Sequence, residues 1–149
     1  MTKYKHTQVG YLIIYTTIVI AVFYAWMVYF IPHDHLRLPI IIIMLAVILL
    51  LASFSTLTVT IDEKYLRVSF GYGIFARRFP LSEIASAKAV KNHWYYGWGI
   101  KWWFWPKMTI YSVSGFDAVE IVLKNGSIYR IGTDTPQELE RAINIAINS

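Results

Sequence analysis

Leu57-Thr58-Val59-Thr60-Ile61-Asp62-Glu63-Lys64-Tyr65-Leu66-Arg67-Val68-Ser69-Phe70 is the stretch where the hydrophobic period of this chain changes. Leu57, Val59 and Ile61 alternate with Thr58, Thr60 and Asp62, and Leu66, Val68 and Phe70 alternate with Tyr65, Arg67 and Ser69. Side chains of a strand point alternately to its two faces, so this is the pattern of two half-buried strands joined by a turn at Asp62-Glu63-Lys64. Everything before Leu57 has a different character, and the chain divides there.

Upstream, Val9 to Ile31 is a run of 23 residues without a charge. As a helix it extends about 34 Å, enough for the hydrocarbon core of a bilayer with some tilt. Tyr11 and Tyr15 near its start, and Trp26, Tyr29 and Phe30 near its end, suit the two interfaces. The run is too long for a signal-peptide core, and a second one follows. That second run, Ile40 to about 56, comes after the polar link Pro32-His33-Asp34-His35-Leu36-Arg37-Leu38-Pro39 and is slightly short for a full crossing.

The expectation for residues 1–56 is therefore a transmembrane helical hairpin, with helices over about 9–31 and 40–56. Lys3 and Lys5 precede it, Lys64, Arg67, Arg77 and Arg78 follow it, and its link holds only Arg37 beside Asp34. By the excess of cations on the cytoplasmic side, both termini and the remainder of the chain are expected in the cytoplasm, on a multi-pass protein of the cell membrane.

Composition agrees with an anchor plus a small domain: 56% of the 149 residues are apolar, mean hydropathy is +0.45 and 15% are charged. The chain has no cysteine, so disulfides, thiolate nucleophiles and cysteine-held metals are excluded. The net charge of +5 is moderate, and residues 59–149 carry eleven Lys and Arg against eight Asp and Glu, too dispersed for a nucleic-acid partner.

Downstream of Phe70, a third strand fits Ile74 to Leu81 and a fourth Glu83 to Lys91. A fifth falls within Lys107 to Val113, and a sixth over Ala118 to Lys124 meets a seventh over Ser127 to Gly132 across the hairpin signal Asn125-Gly126. A final helix, about 136–148, opens with Thr135 as N-cap, Pro136 in the first turn and Glu138 placed for a capping box. Its apolar stripe is Leu139, Ala142, Ile143, Ala146 and Ile147.

The blocks Tyr96-Gly97-Trp98-Gly99-Ile100, Val113 to Gly126 (VSGFDAVEIVLKNG) and Ile131 to Leu139 (IGTDTPQEL) resemble those of bacterial pleckstrin-homology-like (PH-like) membrane proteins. The resemblance covers 57–149, and two preceding membrane helices are familiar in that group. It implies a membrane-anchored, mainly β architecture: the transmembrane hairpin, then a seven-stranded antiparallel PH-like sandwich or barrel capped by one C-terminal helix. No catalytic residue and no cofactor come with it, and the role it implies is binding or scaffolding, with a ligand that varies among members.

Residues 93–107, His93 to Lys107, hold five of the six tryptophans. Burying a large apolar side chain is worth roughly 1.5–3 kcal/mol, so five indoles left in water forfeit on the order of 10 kcal/mol. Three covers are available: the domain's own core, a protein partner, or the membrane interface, where an indole finds an apolar slab and a partner for its N–H. The interface is favoured because the anchor already holds the domain there and because Lys101 and Lys107 can meet anionic head groups. The residues expected to contact membrane or partner are Trp94, Tyr95, Lys101, Trp102, Trp103, Phe104, Trp105 and Lys107, whereas Trp98 is the tryptophan assigned to the core.

Other motifs carry less. A polyphosphate site needs several cations converging on the first turn, and that turn is Asp62-Glu63-Lys64, while the adjacent Arg77 and Arg78 point to opposite faces. His33-Asp34-His35 is ligand-like, but without a third or fourth ligand nearby it reads as a solvated link. No nucleophile elbow, phosphate-binding glycine loop or carboxylate pair is present, and Asp117 and Glu120 face opposite sides of their strand. The expected function is a non-enzymatic, membrane-anchored scaffold that acts with membrane lipid and with a protein partner or further copies of itself. The alternative is a lipid-handling protein using residues 93–107.

Overall fold

The computed structural model describes residues 2–149. Its first element is one that the pattern of residues did not predict, a strand β1 (Tyr4–Val9), followed by helices α1 (Tyr11–Phe30) and α2 (Arg37–Ala52). Strands β2 (Thr56–Ile61), β3 (Tyr65–Phe70) and β4 (Ala76–Pro80) follow, and these join β1 in a four-stranded sheet of order β1-β2-β3-β4. Because Tyr4 pairs with Ile61 and Val9 with Thr56, the helical hairpin is inserted between two antiparallel neighbours of one sheet. The cations Lys3 and Lys5, expected as flanks of a membrane helix, belong to this sheet edge, where the Lys3 N–H donates to the Ile61 carbonyl at 2.8 Å.

α1 has 20 residues, about 30 Å, and is long and apolar enough to cross a membrane. α2 has 16 residues, about 24 Å, and starts earlier than expected because Pro39 fits in a first turn, whose N–H groups have no partner within the helix. Neither helix buries a residue completely. The half-buried positions Ile13, Thr17, Ile20, Tyr24 and Met27 of α1 and Met44, Val47, Ile48 and Leu51 of α2 recur at helical spacing and mark the seam between them. Thr16 and Thr17 donate their hydroxyls to the Leu12 and Ile13 carbonyls of their own helix.

Two glycines seat the hairpin on the β domain. A Cβ on Gly10 would stand 2.9 Å from the Val113 carbonyl oxygen, and one on Gly71 would stand 2.3 Å from the Ser53 carbonyl oxygen. Gly71 also has φ +41, and its turn rests directly on the foot of α2.

The second sheet contains β5 (Ile84–Lys91), β6 (Gly99–Phe104), β7 (Lys107–Ser112), β8 (Asp117–Leu123) and β9 (Ile128–Gly132) in the order β5-β8-β9-β7-β6. The expectation of seven antiparallel strands is corrected on two points. The described residues form nine strands, β1 and β6 being the additional ones, and β9 inserts between β8 and β7, making β7 and β9 parallel. The strand expected over Ile74 to Leu81 is shorter, because Gly71 to Phe75 form the turn onto α2 and Leu81 begins a short 3-10 turn.

One core lies between the sheets. Leu57, Val59, Ile61, Leu66, Val68 and Phe70 of the first sheet meet Val119, Ile121, Leu123 and Ile131 of the second and Val113 just beyond β7. The faces read from alternation in β2, β3 and β8 are the buried ones. α3 (Pro136–Ile147) adds Leu139, Ile143 and Ala146. Its start is as expected but its capping box is absent: the Thr135 hydroxyl lies 3.4 Å from that of Thr133 and 3.5 Å from that of Tyr4 rather than on the backbone of its own first turn. α3 also seals the β5 edge, with Glu140 Oε2 accepting the Ala89 N–H (3.1 Å) and Asn144 Nδ2 donating to the Ala87 carbonyl (3.3 Å).

Candidate functional site: the aromatic edge and the open seam

After β5 the chain returns over the outer face of the second sheet, and a polar cluster pins it there. Glu120 and Arg130 are cross-strand partners of β8 and β9, and Arg130 Nε donates to Glu120 Oε2 at 2.8 Å. Arg130 Nη1 reaches Asn92 Oδ1 at 3.2 Å, and its guanidinium lies 5.9 Å from the centre of the Tyr96 ring. Tyr96 is buried with Met108 and Ile110 in a second, smaller core, against which Trp103 and Ile128 pack. Burial pushes the Tyr96 hydroxyl above its ordinary pKa, and the neighbouring Tyr95 adds to this.

The residues expected to contact membrane or partner separate along this framework. Trp103 is half-buried: its ring lies 4.8 Å from that of Tyr96 and its Nε1 donates to the Trp105 carbonyl at 2.8 Å. Trp94, Tyr95, Lys101 and Lys107 are exposed, and Trp102, Phe104 and Trp105 are 77%, 88% and 90% exposed. β6 has one free edge, since only β7 pairs with it. Its alternation places Ile100, Trp102 and Phe104 on one face and Lys101 and Trp103 on the other.

Trp98 is not a core residue. It is half-buried outside both clusters, with Nε1 donating to the Gly115 carbonyl at 3.3 Å and its ring 6.3 Å from Phe116. With Ile100 and Lys101 it borders a hollow whose other wall is Leu12, Ile13 and Thr16 of α1 and Leu51 of α2. The start of β6 therefore lies beside the feet of both helices.

Beyond Ile100 the free edges of β6 and β4 border a groove of about 300 Å³, at the small end of ligand-sized clefts. Phe70, Phe75, Ile100 and Trp102 line it, with Arg77 and Tyr111 as its polar members. Tyr111 is 8% exposed, and its hydroxyl has no hydrogen-bond partner among the described residues. Burial raises its pKa, and nearby Arg77 opposes the shift. Arg77 pairs with no carboxylate among the described residues, and its guanidinium stands 6.0 Å from the Phe79 ring centre. The expected divergence of Arg77 and Arg78 holds. Arg77 shares the inward side of Phe79, while Arg78 stands opposite Arg67 of β3 on the outer face.

The Asn92–Glu120–Arg130 cluster and the placing of Arg77 and Tyr111 on one groove were not foreseen from the residues. A signal for Arg77 was present, because in Arg77-Arg78-Phe79 the alternation that buries Phe79 puts Arg77 on the same face of the strand, where it remains exposed. In the turn between the helices, Asp34 Oδ1 accepts the Leu36 N–H at 3.0 Å. No family model, curated protein or solved structure matches this chain.

Proposed function

We propose that this chain is a membrane-anchored, non-enzymatic binding and scaffold module with a PH-like β domain, in which α1 and α2 cross the bilayer together and hold the domain at the cytoplasmic surface. The observation that carries this reading is the pairing of β1 with β2 across the foot of the hairpin, where the Gly10 N–H donates to the Ser55 carbonyl at 2.7 Å. This junction fixes both helices at one level, so a bilayer that takes α1 takes α2 with it. Their apolar, largely uncovered surfaces need such an environment, since apolar area in water is unfavourable by roughly 25 cal/mol per Å². The cations of the sheets lie on the domain side and the link offers only Arg37, which supports the cytoplasmic orientation.

Because the chain has no cysteine, single-cysteine variants test this cleanly. In intact cells a membrane-impermeant thiol reagent is expected to label His35→Cys and to spare Ser149→Cys until the membrane is opened. Equal labelling of both before opening overturns the topology. Crosslinking in native membranes is expected to trap a reproducible neighbour, either a protein or a second copy; a protein that stays monomeric with no neighbour overturns the scaffold role. A second reading, lipid handling, is favoured by one observation, the apolar groove between β4 and β6 with its unpaired cation.

A further inference from the structure

We propose that the groove between β4 and β6 is a lipid site, taking one acyl chain of an anionic phospholipid with the head-group phosphate at Arg77. The inference rests on the hairpin lying in the bilayer, as proposed above. Three observations point to this occupant.

The first is continuity. Ile100 borders both the groove and the hollow beside Leu12, Ile13 and Leu51, and the Phe54 ring at the foot of α2 stacks 4.9 Å from Phe75 in the groove wall. A run of apolar side chains thus leads from the flank of the helices to the groove between the sheets.

The second is the polar pair at the wall. Arg77, exposed at the rim of the groove, has no acidic partner among the described residues, and the hydroxyl of Tyr111, whose ring is buried, has no hydrogen-bond partner among them either. A phosphate oxygen accepts from both, and a charge-assisted bond of this kind is about twice as strong as a neutral one. The third is what the groove refuses. β4 carries Arg77 and Arg78 and ends in Pro80, features that discourage an added strand, so a β-paired peptide fits poorly where an acyl chain does not.

The test uses the full chain reconstituted in vesicles of phosphatidylcholine with phosphatidylglycerol, gently extracted and weighed by native mass spectrometry. A retained phosphatidylglycerol is expected, reduced roughly tenfold in Arg77→Gln and restored in Arg77→Lys, because a tenfold change corresponds to one modest charged contact. Arg78→Gln removes the same charge from the outer face and is expected to retain the lipid. Equal loss in Arg77→Gln and Arg78→Gln overturns the site, since bulk attraction to an anionic surface then accounts for binding. Retention of phosphatidylcholine in equal measure overturns the head-group assignment. Ile74→Glu, an exposed change at the groove wall, is expected to reduce retention without altering membrane insertion. A chain that resists alkaline extraction from the membrane yet carries no lipid overturns this site alone, whereas one released by that extraction overturns the anchoring reading.

Discussion

Along β5 the sandwich is closed by α3: Leu139, Ile143 and Ala146 enter the core, and Glu140 and Asn144 satisfy the edge of the strand. Along β4 and β6 no helix lies over the edge, and Trp102, Phe104 and Trp105 are left in the open. Both sides face the same core and both are built from apolar residues. What distinguishes them is where the hydrogen-bonding capacity goes. The closed side uses its polar side chains to finish its own backbone, whereas the open side holds a cation without a carboxylate and a hydroxyl without a hydrogen-bond partner among the described residues. A fold that needed only stability would finish both sides alike.

Substitution should separate the two sides most sharply at Ile143, which is fully buried. Ile143→Ala is expected to cost about 2–5 kcal/mol in unfolding of the detergent-solubilised chain followed by tryptophan fluorescence. Next, Glu140→Ala leaves the Ala89 N–H without its partner and should cost about 1 kcal/mol by the same measurement. On the open side, Trp102→Ala should change stability by less than about 0.5 kcal/mol. A cost at Trp102 comparable with that at Ile143 would mean that the open side is structural and would remove the contrast.

A smaller effect sharpens the contrast through pH. Burial holds the Tyr111 hydroxyl above its ordinary value near 10, so the folded chain binds that proton more tightly than the unfolded chain. The contribution is fully present below pH 10 and is lost as pH rises through the folded value. Tyr111→Phe should therefore make the alkaline loss of stability shallower, as read from unfolding midpoints between about pH 9 and 11. Part of the slope should remain, because Tyr4 and Tyr96 are shifted in the same direction.

The elements legible in the residues were those whose periodicity has a single cause. β2 and β3 each have one buried face and alternate cleanly, and Val119, Ile121 and Leu123 of β8 keep the same period although Ala118 on its other face is also buried. β1 is different: Lys5, His6, Thr7 and Gln8 read as a polar lead-in and become a strand only through β2, a partner distant in sequence. β6 was obscured for the opposite reason, since Ile100, Trp102 and Phe104 lie on one face and Trp103 packs on the other, leaving no polar alternation to read. The concentration of aromatics in 93–107 was visible in the residues, but which of them the chain covers was not, since Trp103 packs on Tyr96, and the groove depends on two free edges coming together, which no local pattern encodes. The assignment of Trp98 to the core failed because an indole can be satisfied at a boundary, here by the Gly115 carbonyl.

The insertion of the helices between β1 and β2 also sets an order of assembly. Residues 10–55 separate the last residue of β1 from the first of β2, and closing a flexible loop of that length costs about 3 kcal/mol in chain entropy. Once α1 lies against α2 that loop has already been closed, and the helix pair serves as the turn of a β-hairpin. Until then the strand translated first waits without a neighbour. The register between β1 and β2 then restrains the helices: a slip of β1 on β2 by a single residue would turn every side chain of β1 to the wrong face. The edge of the sheet thereby holds the two helices in step.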